Sequence, residues 1–338
     1  MTMKKFLLVL FFTQTNLLSL AGTLINGAGA TFPYPLYSKW FADYQKVSPS
    51  TQINYQSIGS GGGIRQFTDK TVDFGATDTP MTDEQLKKVG ESVFHIPTAI
   101  GSVVLSFNLP GQKKLKLTPE LVAAIFLGDL KKWDDPRLKK INPDLTVSGD
   151  VMVIHRSDGS GTTAVFTDYL SKVNSRWKET VGTGTSINWP VGLGGKGNEG
   201  VAGLIKQTPL SIGYVEFVYA KTNSLSVASL QNAQGEFMEP TLASLTAAAN
   251  SMISNMPEDF RISITNSMGK GSYPIGSFTY LLVRQDMSSS EKGAAFVGFL
   301  NWAIKEGQKT AGALDYAPLP SSLVKKLEAT IRSIKTAK

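Results

Sequence analysis

Residues 155–166 read HRSDGSGTTAVF, and they join a predicted strand to a predicted helix. The preceding run VMVI, at 151–154, predicts a short buried strand. The apolar residues that follow recur at the i, i+3, i+4, i+7 spacing that is typical of an amphipathic helix. They are Phe166, Tyr169, Leu170 and Val173. The glycine- and serine-rich residues between these segments are therefore expected at the start of a helix.

A helix start with an arginine beside it is suited to bind an anion. The first four backbone N–H groups of a helix have no partner within it, and the positive end of the helix dipole adds to their attraction. Gly159 to Thr162 occupy this position, and Arg156 would strengthen the attraction. A capped helix whose Arg156 and Asp158 form a surface ion pair explains the same residues equally well. This stretch alone leaves both interpretations open.

Outward from this stretch, strand-like and helix-like segments alternate, which indicates an α/β fold. At roughly 150 residues per domain, the 338 residues indicate two domains. No long linker is present, so we expect two lobes joined by short crossings near 99–101 and 271–273. The predicted first lobe comprises 22–100 and 272–338, and the predicted second lobe comprises 101–271.

Several other segments have patterns that predict their structure. SVVLSFNL at 102–109 and SIGYVEFVYA at 211–220 predict strands, and KKWDDP at 131–136 predicts a surface turn. Helices are expected near 198–207, 241–254, 289–307 and 320–334.

Composition excludes several classes of site. The chain has no cysteine, so disulfides, zinc–thiolate sites and cysteine nucleophiles are excluded. His95 and His155 are its two histidines, which excludes a histidine-rich metal site. We therefore expect no metal or other cofactor. The basic residues near the C-terminus flank an apolar helical stripe and are not interleaved with aromatic residues, so no nucleic-acid partner is indicated.

The first 21 residues have the pattern of a signal peptide. Lys4 and Lys5 form a basic region, an apolar run follows at 6–12, and small residues precede a cleavage site after Ala21. The apolar run is shorter than the about 20 residues that a membrane span needs. Removal of this segment would lower the formal net charge from +7 to +5. We expect a secreted, soluble protein without a lipid anchor.

Two further stretches resemble the opening one. GAGATFPYPLY places Thr31 and Phe32 directly before a helix, and SIGSGGGIRQF does the same with Ser60. Each alone is more typical of a plain helix cap, but three such helix starts and one arginine favour a shared anion site. Asp78 follows a predicted strand, at the end where α/β proteins usually bind ligands. An ionised carboxylate can only accept hydrogen bonds, so Asp78 fits beside an anion that carries a proton.

Enzyme motifs are incomplete. GLGGKG at 192–197 matches the dinucleotide fingerprint, but Pro190 interrupts the strand that should precede it, and Glu216 lies in another apolar strand. The chain lacks a P-loop, and DGSGT is not a nucleophile elbow. Strand alternation places His155 opposite Arg156, so we expect a packed or edge histidine rather than a base for Ser160. A secreted phosphatase is the alternative that these absences disfavour.

Taken together, the motifs resemble those of the periplasmic phosphate-binding proteins of phosphate ABC transporters. The motifs that carry the resemblance stand in the family's order: GAGATFP, DFGATDTPMT, KKWDDP, DGSGTT, NWPVGLGGKGN, IGYVE and LDYAPLP. The resemblance covers nearly the whole mature chain. It implies a two-lobed periplasmic-binding-protein fold of type II, with phosphate in the cleft between the lobes.

The resemblance also implies which residues bind and which partners to expect. The family's phosphate contacts fall on Thr31, Phe32 (through its backbone N–H), Ser60, Asp78, Arg156, Ser160, Gly161 and Thr162. Asp158 resembles the acidic residue that positions the arginine, and His155 stands where close relatives often carry a second arginine. The 192–200 loop is expected to be a structural turn. A monomer that delivers phosphate to a transmembrane permease is implied, with a receptor for another tetrahedral oxyanion such as sulfate as the alternative.

Overall fold

A computed structural model gives the fold of residues 22–337, and the predicted signal peptide at 1–21 lies outside the described residues. The strands are β1 Thr23–Gly29, β2 Thr51–Ser57, β3 Phe74–Thr77, β4 Val93–Asn108, β5 Lys116–Leu117, β6 Met152–Arg156, β7 Leu193–Gly195, β8 Ser211–Glu216, β9 Ser226–Val227, β10 Ser229–Gln231, β11 Phe237–Met238, β12 Gly276–Arg284, β13 Asp286–Met287 and β14 Lys335–Thr336.

The helices are α1 Tyr34–Val47, α2 Ser60–Thr68, α3 Asp83–Val89, α4 Pro119–Leu127, α5 Pro136–Ile141, α6 Gly161–Val173, α7 Ser175–Thr180, α8 Gly197–Gln207, α9 Phe217–Thr222, α10 Leu242–Met252, α11 Lys292–Ala303, α12 Gln308–Ala311 and α13 Ser321–Arg332. Two 3₁₀ turns lie at Ile253–Asn255 and Gly312–Leu314. Among residues 22–337, no helix combines the length and the apolar content that a membrane crossing requires.

One long strand, β4, connects the two lobes. Its residues up to Ser102 pair with β12, and its residues from Val103 onward pair with β8. The neighbours in the main sheet run β2-β1-β3-β12-β4-β8-β6-β7. We call the part built on β1, β2, β3 and β12 the first lobe, and the part built on β6, β7 and β8 the second lobe. The residue bounds of the lobes given above stay a prediction.

In the first lobe, α1 covers the sheet with aromatic side chains. Tyr37, Trp40 and Phe41 are buried on its inner face. Phe41 packs against Phe74 of β3 and against Phe299 of α11, with ring centroids 6.3 and 5.3 Å apart. Burial of such rings holds a helix on a sheet and so fixes where that helix begins. The start of α1 is thereby held beside the ends of β1 and β3.

In the second lobe, the predicted helix after the opening stretch is α6. Phe166, Tyr169 and Leu170 are buried, as their spacing predicts. The Phe166 ring stacks on Tyr214 of β8 with centroids 4.6 Å apart and meets Phe126 edge-on at 4.7 Å. This packing fixes the N-terminus of α6 at the end of β6.

The structure differs from the sequence predictions in several segments. The segment SIGYVEFVYA is a strand only to Glu216, because the Glu216 carboxylate accepts the N–H of Val218 and caps α9. KKWDDP is not a surface turn throughout, since Trp133 is fully buried and its indole N–H donates to the Leu210 carbonyl. The strand expected at 102–109 begins earlier, at Val93, so the predicted crossing near 99–101 lies inside a continuous strand.

Candidate functional site

The loops that follow β1, β3 and β6 and the starts of α2 and α6 converge between the lobes. The eight predicted contact residues are buried there, and we call them the cage: Thr31, Phe32, Ser60, Asp78, Arg156, Ser160, Gly161 and Thr162. The lobes touch directly beside the cage, where the Gly61 N–H donates to the Gly159 carbonyl at 2.9 Å. The structure therefore brings residues from distant parts of the sequence together in one buried polar cluster.

Gly161 lies in close contact with the first-lobe half of the cage. A Cβ atom placed on this residue would overlap Ser60 Oγ and Asp78 Oδ2, both from the first lobe. Only glycine lets these groups come so near. The start of α6, which the sequence of residues 155–166 predicted, thus faces Ser60 and Asp78 directly.

Arg156 is held by Asp158 through two parallel bonds. Its Nε donates to Oδ1 at 2.7 Å, and its Nη2 donates to Oδ2 at 2.6 Å. The Arg156 side chain is 1% exposed, so the alternative of a surface ion pair is wrong. The third nitrogen, Nη1, lies 3.4 Å from Thr162 Oγ1 at the start of α6. The paired carboxylate fixes the guanidinium plane and leaves the Nη1 edge directed at the cage.

The pKa of the Asp158 carboxyl lies below its ordinary value. Burial raises this pKa, but the hydrogen bonds and the charge of Arg156 and the Gly197 N–H outweigh that effect. The Gly197 N–H donates to Asp158 Oδ1 at 3.1 Å from a left-handed conformation with φ of 71°. That conformation favours glycine. Asp158 is therefore an ionised partner for Arg156.

Two backbone N–H groups at the start of α6 are left without an acceptor in the described part of the chain. Ser160 is the N-cap, and its Oγ accepts the Thr163 N–H at 3.0 Å. The N–H groups of Gly161 and Thr162 lie in the first turn of the helix, where no helical carbonyl can accept them. Within residues 22–337 they have no other protein acceptor. In that same part of the chain, the Phe32 N–H has no acceptor either. These amides are available to an anion.

Asp78 is the one carboxylate of the cage. It is 2% exposed; its Oδ1 accepts the Thr279 hydroxyl at 2.9 Å, and its Oδ2 lies 3.4 Å from Ser60 Oγ. Burial raises the pKa of Asp78 to about 7, although the Thr279 bond, the charge of Arg156 and the Ser60 bond oppose that rise. No cation contacts Asp78 directly within the described residues. Asp78 is therefore a buried carboxyl of the cage with hydroxyl partners and, in the described chain, no direct cation.

Sequence reasoning missed several residues that contact the cage. Asn198 Nδ2 donates to Thr31 Oγ1 at 2.7 Å, and the Tyr219 hydroxyl donates to the Thr31 carbonyl at 2.6 Å. Thr279, described above, is another. The segment 192–200, which was expected to be a structural turn, forms β7 and the start of α8 and supplies Gly197 and Asn198. For Asn198, its place at the end of the motif NWPVGLGGKGN was an available signal. Thr279 and Asp78, in contrast, lie 201 positions apart.

The two histidines take structural places. The His155 ring stacks on Trp189, with centroids 4.9 Å apart, and its Nδ1 lies 3.0 Å from the Arg156 carbonyl. His95 Nε2 accepts the Met81 N–H at 3.0 Å, and burial together with the charge of Arg261 lowers its pKa to about 4. Ser160 Oγ bonds to its own helix. A serine–histidine pair is therefore not assembled at the cage.

Comparisons with known proteins place these features in a family. The chain matches the PBP superfamily domain over residues 18–306. It is 45% identical over 334 residues to the phosphate-binding protein PstS of Pasteurella multocida, covering 97% of this chain and 95% of that protein. It is 46% identical over 303 residues to PstS of Haemophilus influenzae, covering 89% and 90%.

Solved structures show the same architecture. A high affinity periplasmic phosphate-binding protein with bound phosphate aligns with a TM-score of 0.74 and 22% identity, covering 91% of this chain and 93% of the other. A phosphate-binding protein of Stenotrophomonas maltophilia aligns with a TM-score of 0.69 and 18% identity, over 91% and 93%. At this identity the likeness shows the fold alone. The predicted two-lobed binding-protein fold is confirmed.

Proposed function

Because the chain belongs to the PstS family of phosphate-binding proteins, we propose that it binds inorganic phosphate between its lobes and delivers it to an ABC transporter permease. The observation that carries this proposal is the chemistry of the cage. One arginine, unpaired backbone amides and several hydroxyls converge there opposite a single buried carboxylate. Many donors and one acceptor match a tetrahedral oxyanion that still carries a proton.

The proposal assigns phosphate contacts to both lobes. Thr31, Ser60, Asp78 and the Phe32 N–H act from the first lobe. The second lobe supplies Arg156 together with Ser160, Gly161 and Thr162. Arginine suits this place because its planar fork donates parallel bonds at a fixed geometry. Since these contacts come from both lobes, the complete set forms only when the lobes are closed, and ligand binding favours closure.

Asp78 sets the choice between anions in this proposal. At neutral pH phosphate keeps at least one proton, which an ionised carboxylate can accept as a hydrogen bond. Sulfate has no proton at that pH and meets the carboxylate as a like charge. A receptor for sulfate would need a donor where Asp78 stands, so the cage favours phosphate over the alternative oxyanion.

The proposal describes a binding protein rather than an enzyme. The histidines are engaged in packing and Ser160 caps α6, so within the described residues no histidine stands beside a serine of the cage. Incubation with a chromogenic phosphomonoester tests the alternative of a secreted phosphatase. We expect no phosphate release above the buffer rate, and steady turnover would contradict the proposal. Periplasmic location and a monomeric state complete the proposal.

Titration calorimetry and small-angle scattering in phosphate-free buffer test the proposed function. Phosphate should bind with one site per chain and reduce the radius of gyration as the lobes close. It should also stabilise the fold by about 2.7 kcal/mol when free phosphate is 100 times Kd. Native mass spectrometry of protein purified without added phosphate should show an occupied site. Absence of phosphate binding, or binding with an unchanged radius, would contradict the two-lobe account.

A further inference from the structure

The side chain of Asn198 lies fully buried between the lobes, at the start of α8. Its Oδ1 accepts the Glu216 N–H at 2.9 Å. A backbone N–H can only donate, so the oxygen of the amide must face Glu216, and the NH₂ group must face the cage. Nδ2 there lies 2.7 Å from Thr31 Oγ1 and 3.2 Å from Thr162 Oγ1. The orientation of the amide is therefore fixed by its neighbours.

This orientation decides what the two threonine hydroxyls can do. A hydroxyl has one proton to donate and two lone pairs that accept. Thr162 Oγ1 accepts from Asn198 Nδ2 and lies 3.4 Å from Arg156 Nη1. Thr31 Oγ1 accepts from the same Nδ2 and lies 3.4 Å from the Asn198 backbone N–H. With donors on both lone pairs, each hydroxyl must direct its own proton elsewhere.

We propose that Asn198 is a positioning residue that makes the hydroxyls of Thr31 and Thr162 donors toward the bound anion. This inference rests on the proposed function, since the anion is phosphate. Two hydroxyls fixed as donors are matched best by unprotonated oxygens, which are the stronger acceptors. The protonated oxygen of phosphate is then matched to Asp78, the acceptor of the cage. Asn198 thereby determines on which side of the cage the phosphate proton lies.

The same side chain also holds the lobes together. Thr31 lies in the first lobe and Asn198 in the second, 167 positions apart. The Tyr219 hydroxyl holds the Thr31 carbonyl from the same side. Thr31 is thus held through its hydroxyl and its carbonyl by residues at the start of α8 and in α9. Because opening the lobes breaks both bonds, Asn198 should slow phosphate release more than it speeds binding.

Two variants of Asn198 and one matched control test the proposal. Asn198→Ala removes the amide, and Asn198→Asp replaces the donor with an acceptor of the same shape. Asn142→Ala is the control, because Asn142 is also buried, accepts the Lys116 N–H at 2.7 Å and donates to the Lys116 carbonyl at 3.0 Å, away from the cage. Phosphate Kd and dissociation rate are measured for each, and folding is checked by circular dichroism with phosphate present.

We expect Asn198→Ala to bind phosphate at least tenfold more weakly than the parent, mainly through faster dissociation, while Asn142→Ala keeps the parental Kd. The loss in Asn198→Asp should be larger, because both hydroxyls would then donate to the new carboxylate. That loss should shrink from pH 8 to pH 6, where phosphate brings a second proton. A purely structural role for Asn198 predicts no such pH dependence.

Three results would overturn the inference. They are an Asn198→Ala Kd within threefold of the parent, an Asn198→Asp loss that is constant with pH, and failure of both variants to fold with phosphate present. The last result would make Asn198 a structural residue. A parent without phosphate affinity would overturn the proposed function as well, whereas a tightly binding parent with unaffected Asn198 variants would overturn this inference alone.

Discussion

Two carboxylates border the cage, one in each lobe, and their pKa values shift in opposite directions. Asp158 in the second lobe forms two bonds with Arg156, and these outweigh burial and lower its pKa. Asp78 in the first lobe has hydroxyl partners instead, and burial raises its pKa to about 7. The two pKa values shift in opposite directions because the partners differ. A cation stabilises an ionised carboxylate far better than a hydroxyl group does.

The difference shows how the cage can recognise an anion without a net positive charge. Asp158 offsets the formal charge of Arg156, so the second lobe contributes a neutral pair together with the amides at the start of α6. The first lobe contributes hydroxyls, an amide and Asp78. Under the proposed function, recognition would therefore depend on the placement of hydrogen-bond donors and one acceptor, with a smaller part for charge attraction. Substitutions on the two sides should accordingly change different quantities.

The largest effect is expected from Arg156→Ala. It removes charged hydrogen bonds to phosphate and also leaves Asp158 without its cation, so we expect phosphate affinity to fall at least a hundredfold, or about 2.8 kcal/mol. Arg156→Lys should lie between, because an ammonium cannot form the fork. Arg176→Ala is the matched control, since Arg176 forms an exposed pair with Asp129. Titration calorimetry that finds less than a tenfold loss for Arg156→Ala would argue against its place in the cage.

A smaller loss is expected from Gly161→Ala, which tests the contact between the two sides. The added methyl group would overlap Ser60 Oγ and Asp78 Oδ2, and such overpacking typically costs 1–3 kcal/mol, or about five- to 150-fold in affinity. Gly203→Ala on α8 is the control, because a methyl group there meets open space. Scattering should show that Gly161→Ala closes less than the parent when phosphate is added. Full closure with unchanged affinity would contradict the observed approach of the lobes.

The pH dependence of stability should separate the two carboxylates in ligand-free protein. The pKa of Asp78 is raised from 3.8 to about 7, so its stabilising contribution is complete below pH 3.8 and is lost as pH rises through 7. The pKa of Asp158 is lowered, so its contribution is present above pH 3.8 and is lost as pH falls through the folded-state pKa. For Asp78 the slope is at most about 1.4 kcal/mol per pH unit.

Urea unfolding of the parent and of Asp78→Asn between pH 4 and 7, in phosphate-free buffer, measures this slope. Burial also raises the pKa of Glu216, and the difference between the two proteins removes that contribution. We expect the parent to lose stability relative to Asp78→Asn as pH rises. Parallel curves would show that Asp78 titrates at its ordinary pKa and that the contrast with Asp158 is wrong.

Local sequence patterns predicted the second-lobe side of the cage better than its connections to the first lobe. Arg156, Asp158 and Ser160 lie within five positions of one another, so a strand, a turn and a helix start placed them without knowledge of the fold. Asn198 and Thr279 contact the cage across distant parts of the chain. The motif around Asn198 marked the segment but not the contact, and the sequence around Thr279 did not indicate its contact either.

The fold shows the same division between local and distant information. The apolar spacing predicted α6, and its boundary was visible because Ser160 is a typical cap. The end of β8 was not predicted, because the apolar run continues through Glu216 into α9 and the capping bond to Val218 depends on a buried carboxylate. The strand β4 was predicted only in part, since the exchange of its pairing partner from β12 to β8 is a tertiary event.

The competition of phosphate and sulfate for the parent and for Asp78→Asn at neutral pH tests the central claim most directly. The claim is that Asp78 accepts a hydrogen bond from the phosphate proton and repels sulfate. The asparagine variant should keep phosphate binding with a moderate loss and gain measurable sulfate binding, so the phosphate-to-sulfate ratio should fall tenfold or more, or about 1.4 kcal/mol. Asp144→Asn, at an exposed position, should leave the ratio unchanged. An unchanged ratio in folded Asp78→Asn would contradict the claim.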